Sequence, residues 1–291
     1  MDSDRNGRVA DDYCRDHVRR HDRDRFLTAL FMPGQARADA LAVYAFNIEI
    51  ASIREMVSEP LAGLVRLQWW RDALDGIYAG APPAHPVARA LSVAARRRGL
   101  GRANFEAAID ARAGDLEGLR PPTPAALEAY AAETSAGIIH LVLEILGDES
   151  ASAVEAGRHV GIAWALTGLM RAVPAHARQR RVYLPDSSCR AAGLAADDLL
   201  NSAARVPGLD IVVAEIAGLA RRHLAAARAL RGRVPRSLAP ALLSATLAEI
   251  YLHRLEKAGF DPFALERRAR AASAGPAAMA RLAFNAYRGR Y

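Results

Sequence analysis

The stretch from Gly161 to Pro185 combines small, apolar residues with arginines that could bind an anion. Arg171 lies on a run of small and apolar residues that is typical of a helix, and an arginine-rich cluster at 178–181 follows it. The stretch ends in Tyr183-Leu184-Pro185. A guanidinium group is a planar fork of N–H donors that matches phosphate and carboxylate. This stretch is therefore the first candidate for a functional site.

Three glycines and one proline bear on the shape of this helix. Gly157, Gly161 and Gly168 each cost about 1 kcal/mol of helix stability relative to alanine, and such positions usually permit close packing or leave room for a ligand. Pro174 is expected to stop or kink the helix just after Arg171, because an interior proline costs about 3 kcal/mol.

The composition predicts an all-α protein. Hydrophobic residues make up 52% of the 291 residues and aromatic residues only 6%, and the surplus is mostly alanine and leucine, which are strong helix formers. No linker divides the chain. We expect disorder over residues 1–12, one helical domain over 13–270, and a tail over 271–291 that could be helical.

Local signals place some element boundaries. We expect the first helix to begin near Asp11-Asp12 and a loop to occupy residues 185–198. Thr123 followed by Pro124 has the pattern of an N-cap and a first-turn proline. A long apolar stripe at helical spacing then runs to Gly147.

The net charge of +7 comes almost entirely from arginine, since Lys257 is the single lysine. Anionic ligands, anionic lipid headgroups and nucleic acid are the partner classes that such a charge favours. Arginines solvated on helix faces are an equally weighted interpretation. Nucleic acid is the least favoured partner, because the arginine clusters at 96–98 and 178–181 lack interleaved aromatic residues.

Two segments carry a family resemblance. Tyr44-Ala45-Phe46 opens the first segment, and Arg171 with Arg181-Val182-Tyr183-Leu184-Pro185 marks the second. They resemble the two aspartate-rich segments of the squalene/phytoene synthase family. The polar motif positions of that family fall here on Ala51, Ser52, Glu55, Gly168, Ala172 and His176. Glu55 alone keeps an acid.

The resemblance implies a single isoprenoid-synthase-like helical bundle around a central apolar cavity. The family's enzymes join two prenyl diphosphates head to head with magnesium, which takes oxygen ligands from carboxylates and phosphates. Acids at positions i and i+4 share a helix face, but the equivalent pairs here are Ala51 with Glu55 and Ala172 with His176. We therefore expect no catalytic residue, no metal and no cofactor, and magnesium only if the chain is an active prenyl transferase.

The chain could still bind an anionic ligand although the carboxylates needed for catalysis are missing. Arginines can hold an anion by charge-assisted hydrogen bonds without supporting ionisation of a prenyl diphosphate. The candidate anion- or ligand-binding residues are Tyr44, Arg54, Arg171, Arg181, Tyr183, Tyr251 and Arg268.

A non-catalytic branch of the same family, which includes a mitochondrial complex I assembly factor, is similar to this chain over most of its length. The similarity includes Arg66-Leu67-Gln68-Trp69-Trp70, Tyr130-Ala131 and the run Arg171-Ala172-x-Pro174-x-His176. It implies a pseudoenzyme that assists assembly of respiratory complex I (NADH:ubiquinone oxidoreductase) and contacts its subunits or assembly intermediates. A retained cavity could hold a prenyl lipid.

Two alternatives stay open: a divergent head-to-head prenyl transferase of the squalene/phytoene synthase type, and a non-catalytic protein that binds a prenyl lipid or diphosphate. Cys14 and Cys189 cannot form a framework of disulfides, and the first residues lack the apolar core of a secretory signal. No run of about 18 apolar residues occurs. We expect a cytoplasmic protein that could lie peripherally on an anionic inner membrane.

Overall fold

The computed structural model describes residues 2–118, 120–201, 206–271 and 276–291, and the side chains within these ranges except at 2–6 and 268–271. Every regular element in these ranges is a helix. The helices are α1 (Asp2–His21), α2 (Arg23–Ala29), α3 (Gly34–Met56), α4 (Pro60–Tyr78), α5 (Pro86–Arg98), α6 (Ala103–Glu117), α7 (Pro124–Ala131), α8 (Gly137–Leu146), α9 (Ala151–Arg178), α10 (Asp186–Ala191), α11 (Ala196–Leu200), α12 (Leu209–Ala229), α13 (Ala239–Leu242), α14 (Ser244–Lys257), α15 (Pro262–Ala271) and α16 (Pro276–Tyr287).

Helix α9 is the centre of the bundle. It contacts α8, α12, α14 and α15 around its circumference, and its buried residues occur on all sides rather than on one stripe. A helix that is apolar all round is typically buried in the core. The all-α fold predicted from composition is therefore confirmed, with no strand in the described ranges.

Helix α7 begins where the capping pattern predicts. The Thr123 hydroxyl accepts a hydrogen bond from the Ala126 N–H at 3.2 Å, and Pro124 occupies the first helical position. A single π-helical turn, Ala132–Ala136, joins α7 to α8, and Gly147 at φ 85° ends the run. The run Pro124–Leu146 is long and apolar enough to cross a membrane, but 56% of its most apolar window is buried in the bundle, so it is weak evidence for a membrane span.

The N-terminal segment differs from the expected disorder. Helix α1 begins at Asp2 rather than near Asp11-Asp12. The side chains of Ala10, Cys14 and Val18, spaced by one helical turn, are buried, and α1 packs against α3 and α5. Burial of these three side chains stabilises the helix, an effect that the polar composition of the segment does not predict.

Helix α9 also continues through Pro174 to Arg178, where the sequence predicts a stop or a kink near Arg171. The side chains of Val173, Pro174 and Ala177 are buried. Most helical stability in proteins comes from such tertiary packing, which here offsets the hydrogen bond that the proline removes. The His176 side chain therefore extends from helix α9.

The expected loop at 185–198 contains α10 and the start of α11. The N–H groups of Asp186 and Ser187 donate to the carbonyls of Pro121 and Pro122 at 2.9 and 3.1 Å, which fixes this segment against the start of α7. The C-terminal tail includes α16, and Tyr291 is 2% exposed with its hydroxyl donating to the Ala227 carbonyl.

Candidate functional site

A cavity of about 240 Å³ lies beside α9 in the middle of the bundle. Helices α2, α3 and α6, the end of α7 with the π-helical turn, and α9 contribute its walls. The lining residues are Arg25, Asn47, Arg112, Tyr130, Thr134, Ser135, Trp164, Ala165, Gly168, Leu169, Ala172 and His176. The predicted central cavity is therefore present, and its mostly apolar lining includes several polar side chains.

The π-helical turn and α9 meet closely at one wall of this cavity. A Cβ atom built on Gly161 would lie 2.6 Å from the Cα of Ala136, so the absence of a side chain permits this approach. The Thr134 hydroxyl donates back to the Tyr130 carbonyl at 2.7 Å. The widened turn thus directs Thr134 and Ser135 towards the cavity, in keeping with the frequent occurrence of π-turns at functional sites.

Three polar atoms at the cavity have no protein partner. They are Asn47 Oδ1, Ser135 Oγ and His176 Nδ1. Asn47 and Ser135 are 5% and 3% exposed, respectively. Buried polar atoms are almost always satisfied by protein, water or ligand, so this wall suits a small polar molecule or ordered water.

In the structure, the positions of the second degenerate motif line the cavity, whereas those of the first do not. Gly168, Ala172 and His176 all line the cavity. Ala51, Ser52 and Glu55, in the last turns of α3, are not among its lining residues; Glu55 is exposed, and the Ser52 hydroxyl donates to the Glu49 carbonyl at 3.1 Å. The one acid retained from the first motif is thus directed away from the cavity.

The residues present do not fit magnesium. No carboxylate is among the residues that line the cavity, while two guanidinium groups, Arg25 and Arg112, are. Magnesium requires oxygen ligands in near-octahedral geometry, usually with carboxylates. Across the described residues, no group of three or more His, Cys, Asp or Glu side chains could hold a metal ion.

His176 occupies the second acid position of the degenerate motif as a neutral ring. Burial, together with the nearby Arg181 cation, lowers the pKa of His176 to about 4. Its ring lies against that of Tyr183, with centroids 4.6 Å apart. At neutral pH the ring therefore carries no charge and replaces neither a carboxylate nor a cation.

This lowered pKa gives a testable pH dependence. Below pH 6.5 the unfolded chain protonates His176, whereas the folded chain does so only near its pKa of about 4, so stability falls as pH drops from 6.5 to 4. We expect a loss of up to about 2 kcal/mol after allowance for the partly exposed ring. Urea unfolding at several pH values should show a flatter profile for His176→Gln than for the wild type. Identical profiles would contradict a buried neutral His176.

Arg171 and Tyr251, both predicted to bind an anion, are instead engaged by a carboxylate of the chain. Asp24 of α2 accepts from Arg171 Nη1 at 3.2 Å and from the Tyr251 hydroxyl at 2.7 Å. The Arg171 guanidinium also lies 3.5 Å from the Tyr251 ring centroid. Asp24 thus supplies the negative charge that an anionic ligand would bring.

Tyr44 lies beside this cluster but does not line the cavity. It is 3% exposed, burial raises its pKa to about 12, and the Arg25 guanidinium lies 5.5 Å from its ring centroid. Arg25 in turn pairs with Asp22 at 3.0 Å. Helix α2 and its N-cap residue therefore provide two acids, Asp24 and Asp22, that each neutralise an arginine.

Tyr183 belongs to a buried polar network on the far side of the cavity. Asp115 accepts from Arg112 at 3.1 Å and from the Tyr130 hydroxyl at 2.8 Å, and the ring of Tyr183 lies beside that of Tyr130, with centroids 6.0 Å apart. Arg112 contacts the Tyr130 hydroxyl at 3.0 Å. This network fixes α6, α7 and the segment after α9 relative to one another.

Arg54 and Arg181 come together at a smaller cavity of about 160 Å³, which Tyr183 also lines. Arg181 donates to the Arg54 carbonyl at 2.9 Å. The Nε atoms of both arginines, and that of neighbouring Arg120, are buried without a hydrogen-bond partner. The predicted anion-binding residues therefore occupy two separate places, and the side chain of Arg268 lies outside the described residues.

Sequence reasoning missed the partners that decide the charge of the site. Asp24, Arg25, Arg112 and Asp115 were not among the candidates. A signal for the first two existed: the alternating charges of Asp22-Arg23-Asp24-Arg25 directly precede an apolar run. Arg112 and Asp115, three positions apart on one helix, could form an ion pair by spacing alone.

This helical bundle is of the isoprenoid-synthase type. The crystal structure of a dehydrosqualene synthase in complex with a ligand superposes with a TM-score of 0.82, covers 98% of each chain and is 20% identical in sequence. The family model of squalene/phytoene synthase matches residues 18–274. The chain therefore belongs to the squalene/phytoene synthase family.

Two named relatives lie in different parts of this family. The bovine (Bos taurus) protein named NADH dehydrogenase (ubiquinone) complex I, assembly factor 6, is 35% identical over 87% of this chain and 76% of its own length. The presqualene diphosphate synthase of Rhodopseudomonas palustris is 31% identical over 72% of this chain and 75% of its own length. The family is thus represented both by an assembly factor and by a synthase.

Proposed function

We propose that this chain assists the assembly of respiratory complex I and does not transfer prenyl groups. The observation that carries the proposal is the 35% identity, over 87% of the chain, to a protein named as a complex I assembly factor. Complex I subunits or assembly intermediates are the partners that it implies. We place the protein in the cytoplasm, with peripheral contact to the anionic inner membrane through its arginine-rich surface.

The site geometry supports the non-catalytic part of the proposal. A volume of about 240 Å³ lies below the range of about 300–1,000 Å³ that ligand pockets typically occupy, whereas joining two prenyl diphosphates requires space for both substrates. Catalysis in this family also needs a metal to neutralise the departing diphosphate, and the lining residues supply no carboxylate for one.

A prenyl transferase is the second candidate, since the chain is 31% identical to a presqualene diphosphate synthase. Binding of a prenyl lipid or diphosphate without turnover is the third, supported by the unpartnered polar atoms at both cavities. In that case the headgroup would contact Arg54 and Arg181. Loss of binding on Arg181→Ala would support it.

The test of the proposed function is a deletion in the source organism. Complex I activity of isolated membranes and the cellular isoprenoid products are measured side by side. We expect loss of complex I activity at normal isoprenoid levels, restored by the wild-type gene. Loss of one isoprenoid with intact complex I activity would overturn the proposal in favour of the synthase.

Turnover can also be tested directly. Purified protein with Mg²⁺ and farnesyl or geranylgeranyl diphosphate is expected to release no diphosphate above the protein-free background, because no described residues gather three metal-binding side chains. The presqualene diphosphate synthase of Rhodopseudomonas palustris serves as the positive control. A single condensed product made by the purified chain would contradict the prediction.

A further inference from the structure

A groove separate from the central cavity lies between α3 and α4. Its volume is about 380 Å³, and it is lined by Glu49, Ile53, Met56, Val65, Arg66, Trp69, Trp70 and His85. None of these residues lines the central cavity. We refer to this set as the α3–α4 groove.

The corner around the groove carries a concentration of exposed apolar side chains. Of the large apolar residues exposed in the described ranges, five lie between the last residue of α3 and the middle of α4: Met56, Leu61, Leu64, Val65 and Trp69, with exposures of 51%, 72%, 44%, 63% and 40%. Leu61, Val65 and Trp69 follow one another at four-residue spacing, which places them on one helix face. Large contiguous apolar patches on a protein surface mark interaction sites.

Rings line one side of the groove in edge contact. The Trp69 and Trp70 centroids each lie 5.4 Å from that of His85. On the α1 side, the Tyr13 ring stacks on His17 at 5.5 Å, and Tyr13 is itself 41% exposed. Aromatic side chains of this kind supply contact area at little entropic cost and are common anchors at protein interfaces.

Glu49 is an acid at this apolar groove, and the basic side chain that it contacts among the described residues is a histidine rather than a lysine or arginine. Its side chain is 18% exposed, and its nearest basic group is His17 Nε2 at 3.3 Å, which forms no hydrogen bond. Burial raises the pKa of Glu49, and burial followed by the neighbouring His21 and Arg20 lowers that of His17. Because the lowered pKa makes the His17 ring a weaker cation than a free imidazole, a lysine or arginine would pair with the half-buried Glu49 better than His17 does.

The charges at the rim argue against a lipid surface. Glu55 and Glu59, both exposed, flank the apolar residues at the turn between α3 and α4, and Arg66 is an exposed cation on α4. An anionic membrane would repel the two rim acids and would bring nothing to pair with Glu49. A protein helix can combine an apolar face with one basic side chain at the required depth.

We propose that the α3–α4 groove binds an apolar helix of a partner protein, and that one lysine or arginine of that helix pairs with Glu49. The apolar face would cover Val65 and Trp69, and an acidic residue near its end would reach Arg66. The identification of the partner as a complex I subunit or assembly intermediate rests on the proposed function.

The test compares two double variants of the full-length protein in the deletion strain. Leu61→Asp with Val65→Asp places charge on the groove rim, and Ile211→Asp with Phe284→Asp does so at residues that are 62% and 53% exposed elsewhere. We expect the control to restore complex I activity and the groove variant to restore about tenfold less, the loss typical of hot-spot disruption. Both proteins should unfold at the wild-type temperature, since all four residues are exposed.

A cross-link identifies the occupant. Trp69 is replaced by the photoreactive residue benzoylphenylalanine in cells, and the linked peptide is sequenced. We expect an apolar helical peptide with one lysine or arginine, loss of the cross-link on Glu49→Lys, and its recovery when that basic residue is changed to glutamate.

The remaining outcomes contradict either the groove proposal or the proposed function, and the two cases can be told apart. A folded groove variant that restores full activity, a cross-link to lipid or to a second copy of this chain, or failure of the charge exchange would each contradict the assigned occupant. Normal complex I activity in the deletion strain would overturn the proposed function alone, because the cross-link and charge exchange still test the groove.

Discussion

Gly161→Ala is expected to lower the free energy of unfolding by about 3 kcal/mol, the upper part of the range for overpacking. The new Cβ would lie 2.6 Å from the Cα and 2.9 Å from the N of Ala136. Both are backbone atoms of the π-helical turn, so no side-chain rotation can relieve the contact. Helix α9 or the turn must move instead. Urea unfolding measured by circular dichroism gives the change directly.

The matched control is Gly168→Ala on the same helix. Nothing lies within 4 Å of a Cβ at Gly168, and alanine is favoured over glycine inside a helix by about 1 kcal/mol. This variant should therefore be slightly more stable than the wild type. Equal effects of the two substitutions would mean that α9 does not pass the π-helical turn as closely as the structure places it.

The two glycines also mark how far sequence can predict this fold. Thr123 with Pro124 located the start of α7 correctly, and the apolar stripe that ends at Gly147 corresponds to α7 and α8. The sequence left open whether a glycine serves close packing or ligand space. Gly161 serves close packing against Ala136, whereas Gly168 borders open space at the cavity. Both differences depend on neighbours that are distant in sequence.

The disorder expected before Asp11 and the helix end expected near Pro174 are both wrong for the same reason. Local propensity makes residues 2–12 look unfolded and makes Pro174 look like a helix end. Packing against α3 and α5 stabilises the first segment, and burial of Val173 and Ala177 stabilises the second. Tertiary contacts outweigh local preference in both cases, and these contacts come from residues distant in sequence.

The candidate site shows the same limit for charge. Sequence identified Arg171 and Tyr251, but their shared partner Asp24 lies 147 and 227 residues away. The arginines around the cavity are therefore not a free anion site. Arg25, Arg112 and Arg171 each pair with an acid of the chain, namely Asp22, Asp115 and Asp24. The excess of arginine in the sequence therefore does not predict the net charge at this site.

Such internal pairing makes stability depend on each acid. Asp115→Ala is expected to lower the free energy of unfolding by about 4 kcal/mol, the cost of leaving one charge of a buried pair uncompensated. The Asp115 side chain is 6% exposed and that of Arg112 is 16% exposed. The hydroxyl of Tyr130 would also lose its acceptor. Urea unfolding at pH 7 measures the change.

The matched control for this prediction is Asp110→Ala, on the same helix α6. Asp110 pairs with Arg71 at 2.7 Å, but its side chain is 67% exposed, and exposed ion pairs contribute about 0–1 kcal/mol. The two variants therefore differ in burial rather than in charge or helix. A loss below about 1 kcal/mol for Asp115→Ala as well would mean that water reaches Arg112, and that the wall of the cavity is open on the side of α6. A large loss confined to Asp115→Ala would instead mean that the network around Arg112 holds the cavity wall as one unit, so that any ligand must fit a preformed space.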